Sequence, residues 1–177
     1  MKEIYEKEII KTWIEGDETT ETIDEKYKIL NSIMDPIYRF ILEYSYYYSI
    51  KKDYGTGDQM TMIEVHILTE INDNNGITVT QLAMNWNKTT SAISQVIKKL
   101  VEKQLIIRKI NEQDAKSFNL IITQKGKEIV HFHKKYDILD IVKTKKKLLE
   151  KFSLDEIVSF DKICIEYTNL LRKKLKK

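Results

Sequence analysis

Thr89, Thr90 and Ser91 open a helical pattern, and Gln95 and Lys98 follow one and two turns on along the same face. Exposed amides and hydroxyls at a helix start suit phosphate, while glutamine suits an adenine edge and lysine a guanine edge. Ser94 and Lys99 extend this polar, basic surface, whereas Ile93, Val96, Ile97 and Leu100 make the opposite face apolar. A helix with one face for a core and the other for the major groove of a duplex fits these residues.

The charge distribution agrees. The net charge of the 177 residues is only +3, but residues 78–135 hold eleven basic side chains against four acidic ones, whereas residues 1–27 hold nine acids against four lysines. The middle of the chain therefore attracts a polyanion and the first segment repels one. A solvated lysine-rich surface would show the same bias, so the charge supports the reading without carrying it.

Other chemistries find little. No glycine-rich phosphate loop, nucleophile elbow, HExxH or Cys–His pairing appears, so no enzyme and no catalytic residue is expected. The only histidines are His66, His131 and His133. The last two point to opposite sides of a helix, and Cys164 is distant in sequence, so no metal and no cofactor are expected. Cys164 lies in an apolar stripe and reads as core, and a lone thiol fits a reducing, cytoplasmic setting. No stretch reads as a signal peptide or membrane span.

Few turns and many helix formers, with five glycines and one proline, favour long helices. Residues 2–15 place Tyr5, Ile9 and Trp13 a turn apart and read as an appended acidic helix, followed by a linker to residue 27. A helix is predicted from Ile23 to Lys51, kinked or restarted at Pro36, then a loop over 53–60 around Gly55 and Gly57. Thr61 with Glu64 and Thr78 with Gln81 are capping boxes that open two short helices, and the polar-faced helix above is the third. Residues 105–110 and 117–122 are β-branched runs around a charged turn, a hairpin. A long helix follows Thr123, and Ser153 with Glu156 caps a final helix whose apolar band exceeds what one short domain covers. Two short helices followed by a hairpin suit a duplex: the second enters the major groove and the hairpin tip reaches the neighbouring backbone or minor groove.

Over roughly residues 28–175 the chain resembles the MarR family of winged helix-turn-helix transcriptional regulators. The resemblance rests on Met60-Thr61-Met62-Ile63-Glu64-Val65-His66-Ile67-Leu68, on Ile77-Thr78-Val79-Thr80-Gln81-Leu82-Ala83, on the run Thr89 to Leu100, on Lys103 to Arg108 and on Ile121-Ile122-Thr123-Gln124-Lys125-Gly126. It implies an all-α fold with a small β-hairpin wing: a DNA-binding lobe at about 60–123, and dimerisation helices at about 28–52 and 124–175. Thr78, Thr89, Thr90, Ser91, Ser94, Gln95, Lys98, Lys99, Asp114 and Lys116 would meet double-stranded DNA at a pseudo-palindromic operator. The expected function is a homodimeric repressor released by a small-molecule effector. A winged helix used only for protein interaction is the alternative.

The resemblance also places an effector pocket near Tyr44, Tyr47, Tyr48 and His66, although dimer core or half-exposed packing is the better reading of the tyrosines themselves. At the wing, where the family usually shows Asp-Arg-Arg, this chain has Asp114-Ala115-Lys116; Lys116 lacks the planar fork of arginine. Asn87 and Gln104 stand at turn positions usually held by glycine. Trp86 stands at an apolar position between the two DNA-binding helices and is expected in the core.

Overall fold

A computed structural model describes residues 16–111 and 114–175, the side chains of 114–116 excepted. The helix expected over 2–15 lies outside them. Internal contacts divide the chain into two units, residues 1–51 with 61–63 and residues 52–60 with 64–177.

The first unit is dominated by helix α1 (Thr20–Ser49), whose N-cap Thr19 accepts from the amide of Thr22. Part of the expected linker is thus helix, and residues 27 and 28 both lie within α1. The helix passes through Pro36 without restarting. One residue earlier, Asp35 accepts a 2.6 Å hydrogen bond from Arg39 Nε a turn further on, tying the two sides of the proline together.

In the second unit, β1 (Lys52–Asp53) and β2 (Gln59–Met60) pair antiparallel across a segment expected to be only loop. The turn between them is held by Asp53, whose Oδ1 accepts from the amides of Gly55, Thr56 and Gly57 at 2.8, 3.0 and 3.0 Å. These bonds hold its carboxyl below the usual carboxylate range. Helix α2 (Met62–Asp73) follows, then α3 (Val79–Asn85), opened by the predicted capping box: Thr78 N donates to Gln81 Oε1 at 2.9 Å and Gln81 N to Thr78 Oγ1 at 3.3 Å. Helix α4 (Thr90–Glu102) starts from N-cap Thr89.

The hairpin comes next, with β3 (Ile106–Asn111) antiparallel to β4 (Asp114–Ile122); Ile106 faces Ile122, Arg108 faces Leu120 and Ile110 faces Phe118. The chain closes with α5 (Gln124–Leu149) and α6 (Leu154–Leu175), the latter preceded by the predicted Ser153–Glu156 capping box. This is the mostly helical fold with a β-wing that the pattern implied. Among the described residues no helix is long and apolar enough to cross a membrane.

The core joins α2, α3, α4 and the base of the wing: Ile67, Leu68, Ile71, Leu82, Ile93, Ile97, Leu100, Leu105, Ile106 and Leu120 are almost wholly buried. Each such side chain contributes about 1.5–3 kcal/mol by leaving water. Burial of Ile93, Ile97 and Leu100 fixes which side of α4 faces out.

The two expected left-handed positions are left-handed, Asn87 at φ 49° and Gln104 at φ 62°. Gln104 pays a Cβ–carbonyl clash that glycine avoids. Gln104→Gly should therefore stabilise the fold by about 0.5–1 kcal/mol, net of glycine's larger unfolded-state entropy. Urea unfolding should show a higher midpoint at unchanged slope.

Beyond its first turns, α5 loses its cover. Ile138, Leu139, Ile141 and Val142 are exposed, as are Phe160, Ile163, Leu170 and Leu171 on α6, where only Ile157 is buried. Cys164 is exposed too, so the expectation that it packs in the core is corrected.

Candidate nucleic-acid interface

The polar face of α4 is presented as its periodicity requires. Thr90, Ser91 and Gln95 are exposed, Ser94 is half-buried, and none of the four side chains hydrogen-bonds to another described residue. They are free to meet a ligand at the surface opposite the buried Ile93, Ile97 and Leu100.

The other expected contacts are partly committed within the fold. Thr89 Oγ1 accepts from Ala92 N at 3.2 Å, and Thr78 is bound to Gln81, so both hydroxyls set helix starts. Lys98 lies 3.9 Å from Glu102, a loose pair in solvent. Lys99 Nζ lies 3.4 Å from Glu64 Oε1, and Lys103 Nζ lies 3.7 Å from Oε2 of the same carboxylate, which is buried. Glu64, expected as a capping residue, also ties α4 to α2. The side chains of Asp114 and Lys116 lie outside the described residues.

Glu70, also on α2, fixes the turn between α3 and α4. Its Oε1 accepts from Asn85 Nδ2 at 2.6 Å and its Oε2 from the indole N–H of Trp86. Trp86 is therefore half-buried and polar at its edge rather than a core residue.

The tyrosines of α1 neighbour one another, with ring centroids 5.8 Å apart for Tyr44–Tyr48 and 6.4 Å for Tyr44–Tyr47. His66 belongs to the other unit and has different company. It stacks edge-on against His133 with centroids 4.8 Å apart, and Asp137 Oδ2 lies 3.8 Å from His66 Nε2 and 3.3 Å from His133 Nε2. One ligand atom from each of the three residues lies within 4.8 Å of the others. Two imidazoles and a carboxylate are the donor set of a divalent transition metal, zinc above all.

Of the ligands that sequence spacing offers, His66, His131, His133 and Cys164, only His66 and His133 come together, and Asp137, one helical turn after His133, joins them without having been singled out. Burial, foremost, lowers the pKa of His133; His66 and Lys134 add to that, and Asp137 opposes it. The unfolded chain therefore binds this proton more readily. The metal-free protein should lose stability as pH falls below the ordinary imidazole value, 6.5, and gain nothing from this group above it. Thermal melts between pH 5 and 8 would show it.

Comparison with known proteins bears on this geometry. The MarR family model matches residues 60–118, which span α2 to the wing. An uncharacterised HTH-type transcriptional regulator of Bacillus subtilis, YhjH, is 31% identical over 84 residues, and the match spans 48% of each protein, so about half the length of that relative. The structure of Streptococcus pneumoniae FabT in complex with DNA is similar with a TM-score of 0.60 at 20% identity, over 83% of this chain and 98% of that one. That of Lactococcus lactis ZitR, a zinc-responsive MarR family member, is similar with a TM-score of 0.59 at 18% identity, over 82% and 99%. At such identities the structures establish a shared fold.

Proposed function

From the MarR-family winged helix-turn-helix domain that this chain carries at residues 60–118, we propose that it is a sequence-specific regulator of transcription that binds double-stranded DNA as a homodimer. The observation that carries this reading is the outer face of α4: exposed, uncommitted Thr90, Ser91 and Gln95 beside an unspent hydrogen-bonding Ser94, on a helix anchored from behind by Ile93, Ile97 and Leu100. Gln95 reads a base edge, the hydroxyls take phosphate, and Lys98, Lys99 and Lys116 supply positive field. Regulation here is by occupancy of a promoter, not by catalysis.

The bare apolar bands of α5 and α6 support dimerisation. A surface of this extent is covered in most soluble proteins by another copy, and a two-fold pair offers two recognition helices to half-sites about one helical turn apart. The lone thiol supports a cytoplasmic setting, where cysteines stay reduced.

The test is binding of the purified chain to a duplex carrying its own upstream region, titrated with salt against a scrambled duplex. Selective binding that weakens steeply with salt is expected. Equal binding to both duplexes, or none, would favour a protein-interaction module instead.

Two effector readings follow. A small molecule beside Tyr44, Tyr47, Tyr48 and His66 is the one the resemblance implies. A divalent metal at His66, His133 and Asp137 has a specific observation in its favour: His133 is buried, and its Nδ1 has no hydrogen-bond partner among the described residues. A neutral imidazole held ready beside a second imidazole and a carboxylate fits zinc, which would supply a fixed positive charge linking α2 to α5. The zinc-responsive ZitR has a similar fold.

A further inference from the structure

We propose that Arg108, at the base of the wing, is the wing residue that grips the DNA backbone, taking a phosphate in the cleft between β3 and α4. The proposal rests on the DNA-binding reading above and deepens it.

Period-2 alternation puts Arg108 on the same hairpin face as Ile106, Leu120 and Ile122, all buried against the helices. Arg108 is the next residue outward on that face and is itself exposed. It therefore leaves the core at the rim of the lobe, not on the far side of the hairpin. There it lines a cleft of about 210 Å³ with Thr78, Thr80, Ser94, Ser117 and Phe118. The cleft joins three elements of the interface, the start of α3, the outer side of α4 and the wing, and hydroxyls line it beside one guanidinium.

Charge pairing narrows the choice: Lys88 and Lys109 are also without a carboxylate partner among the described residues, but neither lines the cleft. The basic side chains nearest the recognition face are answered from within: Lys98 by Glu102, Lys99 and Lys103 by Glu64, and Lys125 by Asp58 at 3.1 Å. Arg108 has no carboxylate and no hydrogen-bond partner among the described residues. A cation already paired releases fewer counterions on meeting a phosphate than an unpaired one, and a planar fork binds phosphate oxygens two at a time. Arginine at the wing tip, absent from Asp114-Ala115-Lys116, is thus replaced in function by arginine at the wing base.

The experiment compares the full chain with Arg108→Ala, Arg108→Lys and Lys99→Ala on the upstream duplex and on a scrambled duplex, across a salt series. Each variant is first shown to melt like the parent. Arg108→Ala should weaken binding roughly tenfold on both duplexes alike, and lower the salt slope by about one, the loss of one phosphate contact. Arg108→Lys should keep the slope and recover part of the affinity, while Lys99→Ala should change the slope less than Arg108→Ala does. If the parent binds selectively and Arg108→Ala leaves affinity and slope unchanged, or Lys99→Ala flattens the slope more, the assignment to Arg108 is overturned and the DNA-binding reading stands. A parent chain that binds neither duplex overturns both.

Discussion

Gly126→Ala should unfold this protein at a markedly lower temperature, by roughly 5–10 °C, although the change adds one methyl group at the third residue of a helix. A Cβ at that position would lie 2.3 Å from Leu105 O and 2.7 Å from Ile122 Cγ1. The first is backbone and cannot rotate away. Leu105 O is also in use, accepting from Thr123 N at 3.0 Å and from Thr123 Oγ1 at 3.1 Å, so retreat would break the cap of α5. Overpacking of this kind costs about 1–3 kcal/mol or somewhat more, and each kcal/mol moves the midpoint of a chain this size by about 2–4 °C. A clash with backbone that cannot move puts this site at or above the top of that range, so the helical propensity gained by replacing glycine, about 1 kcal/mol, offsets only part of the cost. Leu105 lies three residues past the end of α4, so on the proposed DNA-binding function duplex affinity should fall along with stability. A melting temperature within a degree of the parent would show that the packing beneath α5 yields more easily than the distances imply.

Zinc should produce the second large effect. If His66, His133 and Asp137 bind the ion in the folded state alone, saturation at about a thousand times Kd adds about 4 kcal/mol to stability. The melting midpoint should then rise by roughly 10 °C in zinc-replete buffer and return on chelation. His133→Ala and Asp137→Ala should each abolish the rise, and Asp137→His, which keeps a ligand, should preserve it. The rise should shrink as pH drops, because protons compete for both imidazoles. Magnesium, which prefers oxygen donors, should leave the midpoint where it was. A midpoint indifferent to zinc would return the effector question to the tyrosines of α1.

How far the chain could be read without coordinates follows from the distance over which each feature is encoded. Thr78 with Gln81 and Ser153 with Glu156 are three apart, and both close as capping boxes. The apolar stripe Ile93, Ile97 and Leu100 repeats with the helix, so the exposed face of α4 followed directly. The left-handed turns at Asn87 and Gln104 were marked by what those residues replace. The residues missed are those whose partners lie far along the chain. Glu64 reads as a cap, and no spacing shows that Lys99 and Lys103 of another helix come to the same carboxylate; Trp86 reads as core until Glu70 reaches its indole. His66 and Asp137 are seventy-one positions apart, and neither periodicity nor spacing joins them. Arg108 was counted in a charge total but not singled out, because its role depends on which side of the hairpin faces the helices.

Helix α2 ties these distant partners together, and this limits how its sequence can drift. Glu64 holds Lys99 and Lys103 of α4, His66 meets His133 and Asp137 of α5, Glu70 holds Trp86 and Asn85, and Asp73 holds Lys134 at 2.8 Å. Four polar positions within ten residues answer to three separate segments, α4, α5 and the turn after α3. Among descendants of this sequence, these positions should change in company with their counterparts: Glu64 with Lys99 and Lys103, Glu70 with Trp86, and Asp73 with Lys134. Single replacements on α2 should be purged and paired ones tolerated, so the record of this helix in related genomes would be one of correlated substitution.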